Sequence, residues 1–300
     1  MKLFSPDAAH WYQRDGQPLH TVLSAKGEPR PTTLRDARKL SLLPSVTNIL
    51  GVIAKPELTA WLQEQAVMAA LTLPRLAGET EDAFARRVVE DSQTTRDGAA
   101  EFGTAFHAGA ERIARTLEVD TLNPAADWLR HYRVWYQGNA ALLNWTEKVL
   151  VNGAIGYAGT ADLFIEHAVH GPTLVDLKTM KFPRSTSKAG KVPGGTPATT
   201  RETRVLPPKP YSTWCYQLAA YRKALGQPVK CMNLIVNSVE PSAPIEHVWN
   251  EAELELGEAA FEAAHKLWTI EKGYAPCGGP PVIDVEAVTV VDVESQTLKS

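Results

Sequence analysis

Two short apolar runs separated by a turn-rich linker constrain the fold of this chain more than any other feature. The runs cover residues 159–165 and 173–178, and the linker covers 168–172. Small and apolar residues in runs of this length are typical of strands, and the linker is rich in turn formers, so the segment predicts an antiparallel β-hairpin. A turn at the centre of the linker puts Asp162 opposite Asp176 or its neighbour, with side chains roughly 5 Å apart.

The same hairpin carries a charge conflict that a metal ion would resolve. Side chains alternate between the two faces of a strand, so Lys178 is expected on the same face as Asp176. Two carboxylates that face each other are destabilising unless a cation lies between them. Asp162 and Asp176 can therefore hold a divalent metal while Lys178 orients an attacking water, an arrangement that indicates hydrolysis of a phosphate ester. An ion pair between an aspartate and Lys178 is the alternative interpretation.

Helical patterns before the hairpin and mixed patterns after it predict an α/β (α+β) chain. The predicted helices are 56–71, 79–117 with a break near Gly98, 124–143, 211–225 and 251–272. The predicted strands are 145–151, 159–167, 173–180, 231–239 and a short one at 245–249. The order of these elements predicts a central mixed β-sheet flanked by helices: helices come first, then a three-strand meander, then a helix, a strand and a helix.

The distribution of charge separates one segment from the rest of the chain. A net charge of −3 argues against a protein coated in nucleic-acid-binding charge. Residues 181–210 nevertheless carry seven Lys and Arg against one Glu, and they are rich in Gly, Pro, Ser and Thr. We interpret them as a basic loop inserted in a domain that spans 41–279; the loop either drapes over a phosphate backbone or is a solvated insertion. Residues 1–40 are expected to be a polar N-terminal extension, and residues 280–300 an acidic tail.

Composition is that of an ordinary globular protein, with 44 % hydrophobic and 22 % charged residues. No apolar run approaches the roughly 20 residues that span a bilayer, and the first residues lack a secretory or transit pattern. We therefore expect a cytoplasmic protein with no membrane partner. The three cysteines are too few for a four-cysteine iron–sulfur cluster, so none is expected.

Four further side chains can complete the site. Glu147 precedes the hairpin on the neighbouring strand, where it either supplies another carboxylate or caps a strand edge. His107 lies at the edge of an apolar helical stripe; imidazole binds divalent metals, although a lone helical histidine is more often a satisfied boundary residue. Gln217 and Tyr221 are four residues apart on a helix and share one face. They can hydrogen-bond near Lys178, or be a core tyrosine beside an exposed glutamine.

An ordered set of motifs resembles a known superfamily, the PD-(D/E)XK nucleases. The motifs are His107, Gly159-Thr160-Ala161-Asp162, Asp176-Leu177-Lys178 and Gln217-x-x-x-Tyr221. More narrowly, the set is similar to the RecB-like exonuclease branch, in which a helical histidine and a Gln-x-x-x-Tyr helix accompany the hairpin. Residues 43–50, followed by Lys55-Pro56 and Trp61, are similar to phage-encoded members and to the mitochondrial genome maintenance exonuclease. The second acid is Asp176 where many members have glutamate, and the superfamily accepts either.

The resemblance implies a restriction-endonuclease-like core with a helical N-terminal part, over roughly residues 40 to 275. It implies Mg²⁺ or Mn²⁺ as the cofactor. The implied metal ligands are His107, Asp162, Asp176 and the carbonyl of Leu177, and the implied catalytic residues are Asp162, Asp176, Lys178, Glu147, Gln217 and Tyr221. Lys178 would orient the water and offset developing negative charge, while Glu147 would serve a second metal or order water. Gln217 and Tyr221 would contact the phosphate or brace Lys178.

The activity implied by the resemblance is metal-dependent hydrolysis of phosphodiester bonds from DNA ends, in phage or bacterial recombination, repair or replication. The expected partner is linear DNA, single- or double-stranded. No Walker-type motif occurs in the sequence, so a helicase would be a separate partner, as would a single-strand annealing protein. A structure-specific endonuclease of the same fold and a non-catalytic DNA-binding module are the alternatives.

Overall fold

The computed structural model describes residues 10–186 and 203–277. Contacts along this part of the chain divide it into two units. The first unit comprises residues up to Val52, Val151–Ala158 and residues from Glu262 onward. The second unit comprises Ile53–Leu150 and Gly159–Phe261. Every residue of the candidate site lies in the second unit. The domain borders predicted at residues 40 and 279 stay predictions.

The described residues form seven α-helices and eleven strands. The helices are α1 (Leu34–Leu40), α2 (Val46–Ile49), α3 (Pro56–Thr72), α4 (Glu81–Thr116), α5 (Ala126–Asn139), α6 (Ser212–Leu225) and α7 (Glu251–Lys272). The strands are β1 (Trp11–Tyr12), β2 (Thr21–Leu23), β3 (Pro29–Pro31), β4 (Leu43–Pro44), β5 (Ala140–Asn152), β6 (Tyr157–His167), β7 (Gly171–Met180), β8 (Arg184–Thr186), β9 (Thr203–Val205), β10 (Lys230–Asn237) and β11 (Ile245–Trp249). The predicted mixed α/β class is therefore confirmed. Within residues 10–186 and 203–277, no helix combines the length and the apolar character that crossing a membrane requires.

The first unit has a small aromatic core beside two pairs of short antiparallel strands. β1 pairs with β4, and β2 pairs with β3. Trp11 packs against Trp268 and Tyr274, with ring centroids 6.2 Å apart in both pairs. The hydroxyl of Tyr274 donates its one proton towards the carbonyl oxygen of Leu42 at 2.7 Å, and the carbonyl oxygen of Ala37 lies 3.1 Å away. The buried rings supply apolar area, and the Tyr274 hydroxyl is satisfied.

The second unit is built on a five-stranded sheet with the order β11-β10-β7-β6-β5. β6 and β7 form the predicted hairpin, with Leu163 opposite Val175. The paired register ends there, one residue before Asp162, so the predicted position of Asp162 opposite Asp176 stays a prediction. β10 runs parallel to β7 and antiparallel to β11. A parallel pair requires a crossover connection, and α6 lies in the segment that connects β7 to β10. The predicted meander and the central mixed sheet are thus confirmed.

Helices α4 and α5 cover one face of this sheet. Phe106 of α4 is fully buried, and its ring meets that of Tyr132 of α5 edge-on, with centroids 5.7 Å apart. The two helices approach closely at Gly109, because a Cβ there would clash with the side chain of Leu129. This packing anchors the second half of α4, which carries His107.

Strand alternation separates the Asp176–Lys178 pair from the core beneath α4 and α5. The hairpin residues that join this core are all odd-numbered: Leu163, Ile165, Val175 and Leu177. Asp176 and Lys178 are even-numbered, so their side chains leave β7 on the opposite face, where Lys178 meets Gln217 of α6. Asp162 lies just beyond the end of the ladder, and its carboxylate contacts His107 of α4.

Two helix boundaries differ from the sequence prediction. α4 continues through Gly98 without a break. A single helical glycine costs about 1 kcal/mol relative to alanine, which the helix tolerates when both flanks are packed. α5 ends at Asn139 instead of residue 143, and Leu142 lies in β5 with 59 % of its surface exposed. Asparagine is a helix-ending residue, and pairing with β6 draws the next residues into a strand.

The basic segment 181–210 begins and ends as a ribbon instead of a loop. β8 pairs antiparallel with β9, with Arg184 opposite Val205. Paired strands satisfy backbone hydrogen bonds that an irregular loop would leave to water. The composition of the segment did not predict this pairing. Residues 187–202 and the predicted tail 280–300 lie outside the described residues.

Candidate metal centre

The β6–β7 hairpin holds Asp162 at the point where its backbone ladder ends. The ladder reaches Leu163 opposite Val175. One residue beyond, Oδ2 of Asp162 accepts the backbone N–H of Leu177 at 2.6 Å. The Asp162 carboxylate thus accepts a backbone N–H in place of a main-chain carbonyl, and this hydrogen bond fixes it between β6 and β7.

Lys178 is held between a carboxylate and an amide. Its Nζ lies 3.0 and 2.8 Å from Oδ1 and Oδ2 of Asp176, and it donates to Oε1 of Gln217 at 3.0 Å. Gln217 in turn donates through Nε2 to the hydroxyl of Tyr221 at 3.2 Å. Lys178 therefore shares a face with Asp176, and the two α6 residues share a face one turn apart, both as predicted. The α6 pair braces the lysine.

Gly159 leaves room for Tyr221. A Cβ at residue 159 would lie 2.7 Å from Cε1 and 3.2 Å from the hydroxyl oxygen of that ring. The tyrosine is 3 % exposed, so it has little space into which to move. Close packing against Tyr221, which orients Gln217, thus explains why position 159 is a glycine.

Replacing Gly159 by alanine is expected to lower the unfolding free energy by about 1–3 kcal/mol, the usual cost of overpacking a filled interior. Gly138→Ala on α5 is the matched control, since a Cβ there meets no atom within 4 Å. We expect that control to gain about 0.5–1 kcal/mol from helix propensity. Urea unfolding of both variants measures the difference, and equal stabilities would contradict the packing argument.

His107 and Glu147 form a cluster with Asp162. Nδ1 of His107 lies 3.5 Å from Oδ1 of Asp162. One ligand atom from each of the three residues lies within 4.8 Å of the others. Glu147 enters from β5 with a φ of 49°, a left-handed conformation that is uncommon for residues other than glycine. Such strain costs about 1–3 kcal/mol and clusters at functional sites, and here it coincides with the group of possible ligands.

The electrostatics of this region indicate an excess of negative charge. Burial, together with the charge of Asp162, raises the pKa of Glu147 to about 7. Burial also raises the pKa of Asp176 against the charge of Lys178, and Asp162 adds to the rise. Burial acts on Asp162 in the same direction, but the hydrogen bond and charge of His107 outweigh it and lower that pKa. A cation bound beside Asp162 would therefore favour the ionised forms of Glu147 and Asp176.

The donor set fits a divalent metal ion. Carboxylate oxygens suit Mg²⁺ and Mn²⁺, and imidazole is a common ligand for divalent transition metals. Among the described residues, the group of mutually close ligand atoms at this site comprises His107, Glu147 and Asp162. Asp176 lies outside that group. The ligand roles predicted for Asp176 and for the carbonyl of Leu177 stay predictions, as do the catalytic roles.

Asn233 contacts the site through Asp176, but none of the sequence motifs includes it. It lies on β10 directly across from Asp176 and is fully buried. Its Nδ2 donates to Oδ2 of Asp176 at 2.7 Å. The signal that points to it is an asparagine inside the otherwise apolar run 231–236, because a buried amide needs partners.

Mn²⁺ affinity is expected to rise at least about tenfold from pH 6 to pH 8, because one displaced proton with a pKa near 7 produces a tenfold change. One such proton is that of Glu147, whose pKa is raised to about 7. Burial lowers the pKa of His107, but its hydrogen bond and charge contact with Asp162 outweigh burial and raise it, so loss of the His107 proton steepens the rise. Calorimetric titration in two buffers of different ionisation enthalpy measures both the affinity and the proton release. The Glu147→Gln variant, which has no such proton, should show a flatter profile. An affinity independent of pH in the unaltered protein would contradict the protonation described here.

Comparison with protein families and with curated proteins gives no further guide to this centre. The chain matches no model of a protein family, and the search of curated proteins found no match. Function is therefore inferred from the geometry of the site.

Proposed function

We propose that the chain is a Mg²⁺- or Mn²⁺-dependent deoxyribonuclease of the PD-(D/E)XK type, with a restriction-endonuclease-like core. The observation that carries the proposal is the position of Lys178, bonded to Asp176 and Gln217 on the hairpin that also presents Asp162. A lysine held beside a cluster of metal ligands is suited to hydrolysis of a phosphodiester. The alternative of a simple cross-strand ion pair does not account for Glu147, whose strained backbone brings another carboxylate to the same place.

The residues of the site have distinct roles in this proposal. His107, Glu147 and Asp162 would hold the metal, with Asp176 and the carbonyl of Leu177 as further ligands. When bound, the ion would withdraw electron density from the phosphate and favour loss of a proton from the attacking water.

Lys178 would act on the water and on the phosphate. An ammonium group has three N–H donors, of which Asp176 and Gln217 accept two, so the third can face the water or the developing charge. The hydrogen bond from Gln217 to Tyr221 keeps the glutamine oxygen directed at Lys178. The α6 pair thereby positions the lysine before substrate arrives.

Hydrolysis from DNA ends is the more specific part of the proposal, and the similarity of the motif set to RecB-like exonucleases supports it. The proposed setting is phage or bacterial DNA recombination, repair or replication, in the cytoplasm of a bacterium or a phage-infected cell. A single-strand annealing protein or a helicase would act as a partner on the same DNA.

Incubating the purified protein with three forms of DNA tests the proposal. The substrates are single-stranded, linear duplex and closed circular DNA, each with Mg²⁺, Mn²⁺ or EDTA. We expect metal-dependent loss of linear DNA, no cutting of circles, and no loss with the Lys178→Ala variant. Cutting of circles would replace the exonuclease with an endonuclease. DNA binding without cleavage under any metal would favour a non-catalytic module and contradict the enzyme.

A further inference from the structure

A second group of metal-ligand residue types lies at the turn of the hairpin, formed by His167, His170 and Glu246. Nδ1 of His167 accepts the backbone N–H groups of Val169 and His170 at 3.2 and 3.3 Å. The neutral ring therefore carries its proton on Nε2, which faces Oε1 of Glu246 at 3.5 Å. A protonated ring nitrogen offers no lone pair to a metal, so this group does not carry a metal-site proposal.

The Asp176 carboxylate, in contrast, is held by donors from two strands. Lys178 of β7 approaches both of its oxygens, and Asn233 of β10 donates to Oδ2 at 2.7 Å. Asp176 and Asn233 are 2 % and 0 % exposed. Water therefore cannot replace a donor that is lost here, and its loss would leave a buried carboxylate oxygen incompletely satisfied.

Trp249 determines which way the amide of Asn233 points. Its indole Nε1 donates to Oδ1 of Asn233 at 2.7 Å, and an indole nitrogen is a donor only. The amide oxygen must therefore face Trp249, and the amide nitrogen must face Asp176. The backbone partner of Asn233 on β11 is His247, two residues before Trp249, so the indole and the amide share one face of the sheet.

We propose that Asn233 and Trp249 are positioning residues that fix the orientation of the Asp176 carboxylate in the metal centre. This inference rests on the proposed function, in which Asp176 binds the metal. Without the amide donor, Lys178 is the remaining side-chain donor to the carboxylate, so the orientation of the carboxylate is no longer fixed and the centre loses a well-placed ligand. Hydrogen bonds to metal-binding carboxylates typically account for about 10–100-fold in metal affinity.

Direct titration of Mn²⁺, followed by the electron paramagnetic resonance signal of the free ion, tests the inference without relying on catalysis. Asn233→Leu removes the donor at similar volume, and we expect the Mn²⁺ Kd to rise at least about tenfold. Trp249→Phe removes the indole N–H while Asn233 remains, and a smaller rise of about threefold is expected. Asn237→Leu is the matched control: it is on the same strand and 4 % exposed, but its side chain accepts the backbone N–H groups of Phe182 and Val239. Its Kd should stay within about twofold.

The Asp176→Ala variant distinguishes failure of this inference from failure of the proposed function. If it binds Mn²⁺ as tightly as the unaltered protein, Asp176 is not a ligand, and both the role proposed for Asp176 in the metal centre and the positioning role are wrong. If it loses binding while Asn233→Leu and Trp249→Phe bind normally, the metal centre stands and the positioning role is wrong. Thermal unfolding without metal identifies a variant that does not fold, and if Asn233→Leu fails this check the Trp249→Phe titration decides.

Discussion

Replacing Asp162 by asparagine is expected to slow metal-dependent cleavage of linear DNA by about a thousandfold while the protein stays folded. The change removes the carboxylate charge of Asp162, close to which the ligand atoms of His107 and Glu147 lie. Metal-assisted charge stabilisation is worth several kcal/mol, and each loss of about 1.4 kcal/mol slows a reaction tenfold. The asparagine keeps an oxygen that can accept the Leu177 N–H, as Asp162 does at 2.6 Å. Initial cleavage rates with Mg²⁺ and urea unfolding of the same preparation measure both effects.

A second acid on the same strand provides the control for this experiment. Glu166 lies four residues further along β6, in the part of the hairpin that pairs with β7. Glu166→Ala is expected to change the cleavage rate by less than about twofold, as substitutions away from a site usually do. Equal loss in both variants would indicate general damage, and full activity of Asp162→Asn would show that the site is assigned to the wrong residues.

The hairpin and the positions of its charged residues follow from the sequence because they depend on local rules. A turn-rich linker between two apolar runs defines the pairing, and a side-chain period of two then puts Lys178 beside Asp176. The helical period does the same for Gln217 and Tyr221, which meet on one face of α6. These features need no knowledge of how distant segments pack.

The parts that could not be predicted depend on tertiary contacts. The positive φ of Glu147 carries no local signal, because glutamate has no preference for that conformation. Asn233 comes to Asp176 only because β10 pairs in parallel with β7, and its partner Trp249 comes from a third strand. The end of α5 at Asn139 likewise reflects pairing of the following residues in the sheet, which overrides their helix propensity.

Replacing Lys178 by methionine is expected to lower the unfolding free energy of the metal-free protein by about 3 kcal/mol at pH 8. The side chain of its partner Asp176 is 3 % exposed, so the carboxylate would remain as a buried charge without a cation. The pKa of Asp176 is already raised by burial, against the charge of Lys178, and removal of the lysine raises it further. A carboxyl with a raised pKa in the folded state binds its proton more tightly there than when unfolded. The destabilisation should therefore shrink as the pH falls from 8 to 5, which urea unfolding at both values measures.

The double variant Lys178→Met/Asp176→Asn separates stability from catalysis. Its neutral amide needs no cation, so we expect it to recover most of the stability that the single variant loses, and the double-mutant cycle isolates the energy of the pair. Cleavage should stay absent in the double variant, because both a proposed metal ligand and the group proposed to orient the water are missing. A double variant that regains cleavage would show that Lys178 acts only as the counter-ion of Asp176. Recovery of stability would assign Lys178 the role of balancing a buried carboxylate, and loss of cleavage in the folded Lys178→Met variant, which keeps Asp176, would assign it the second role of directing the water.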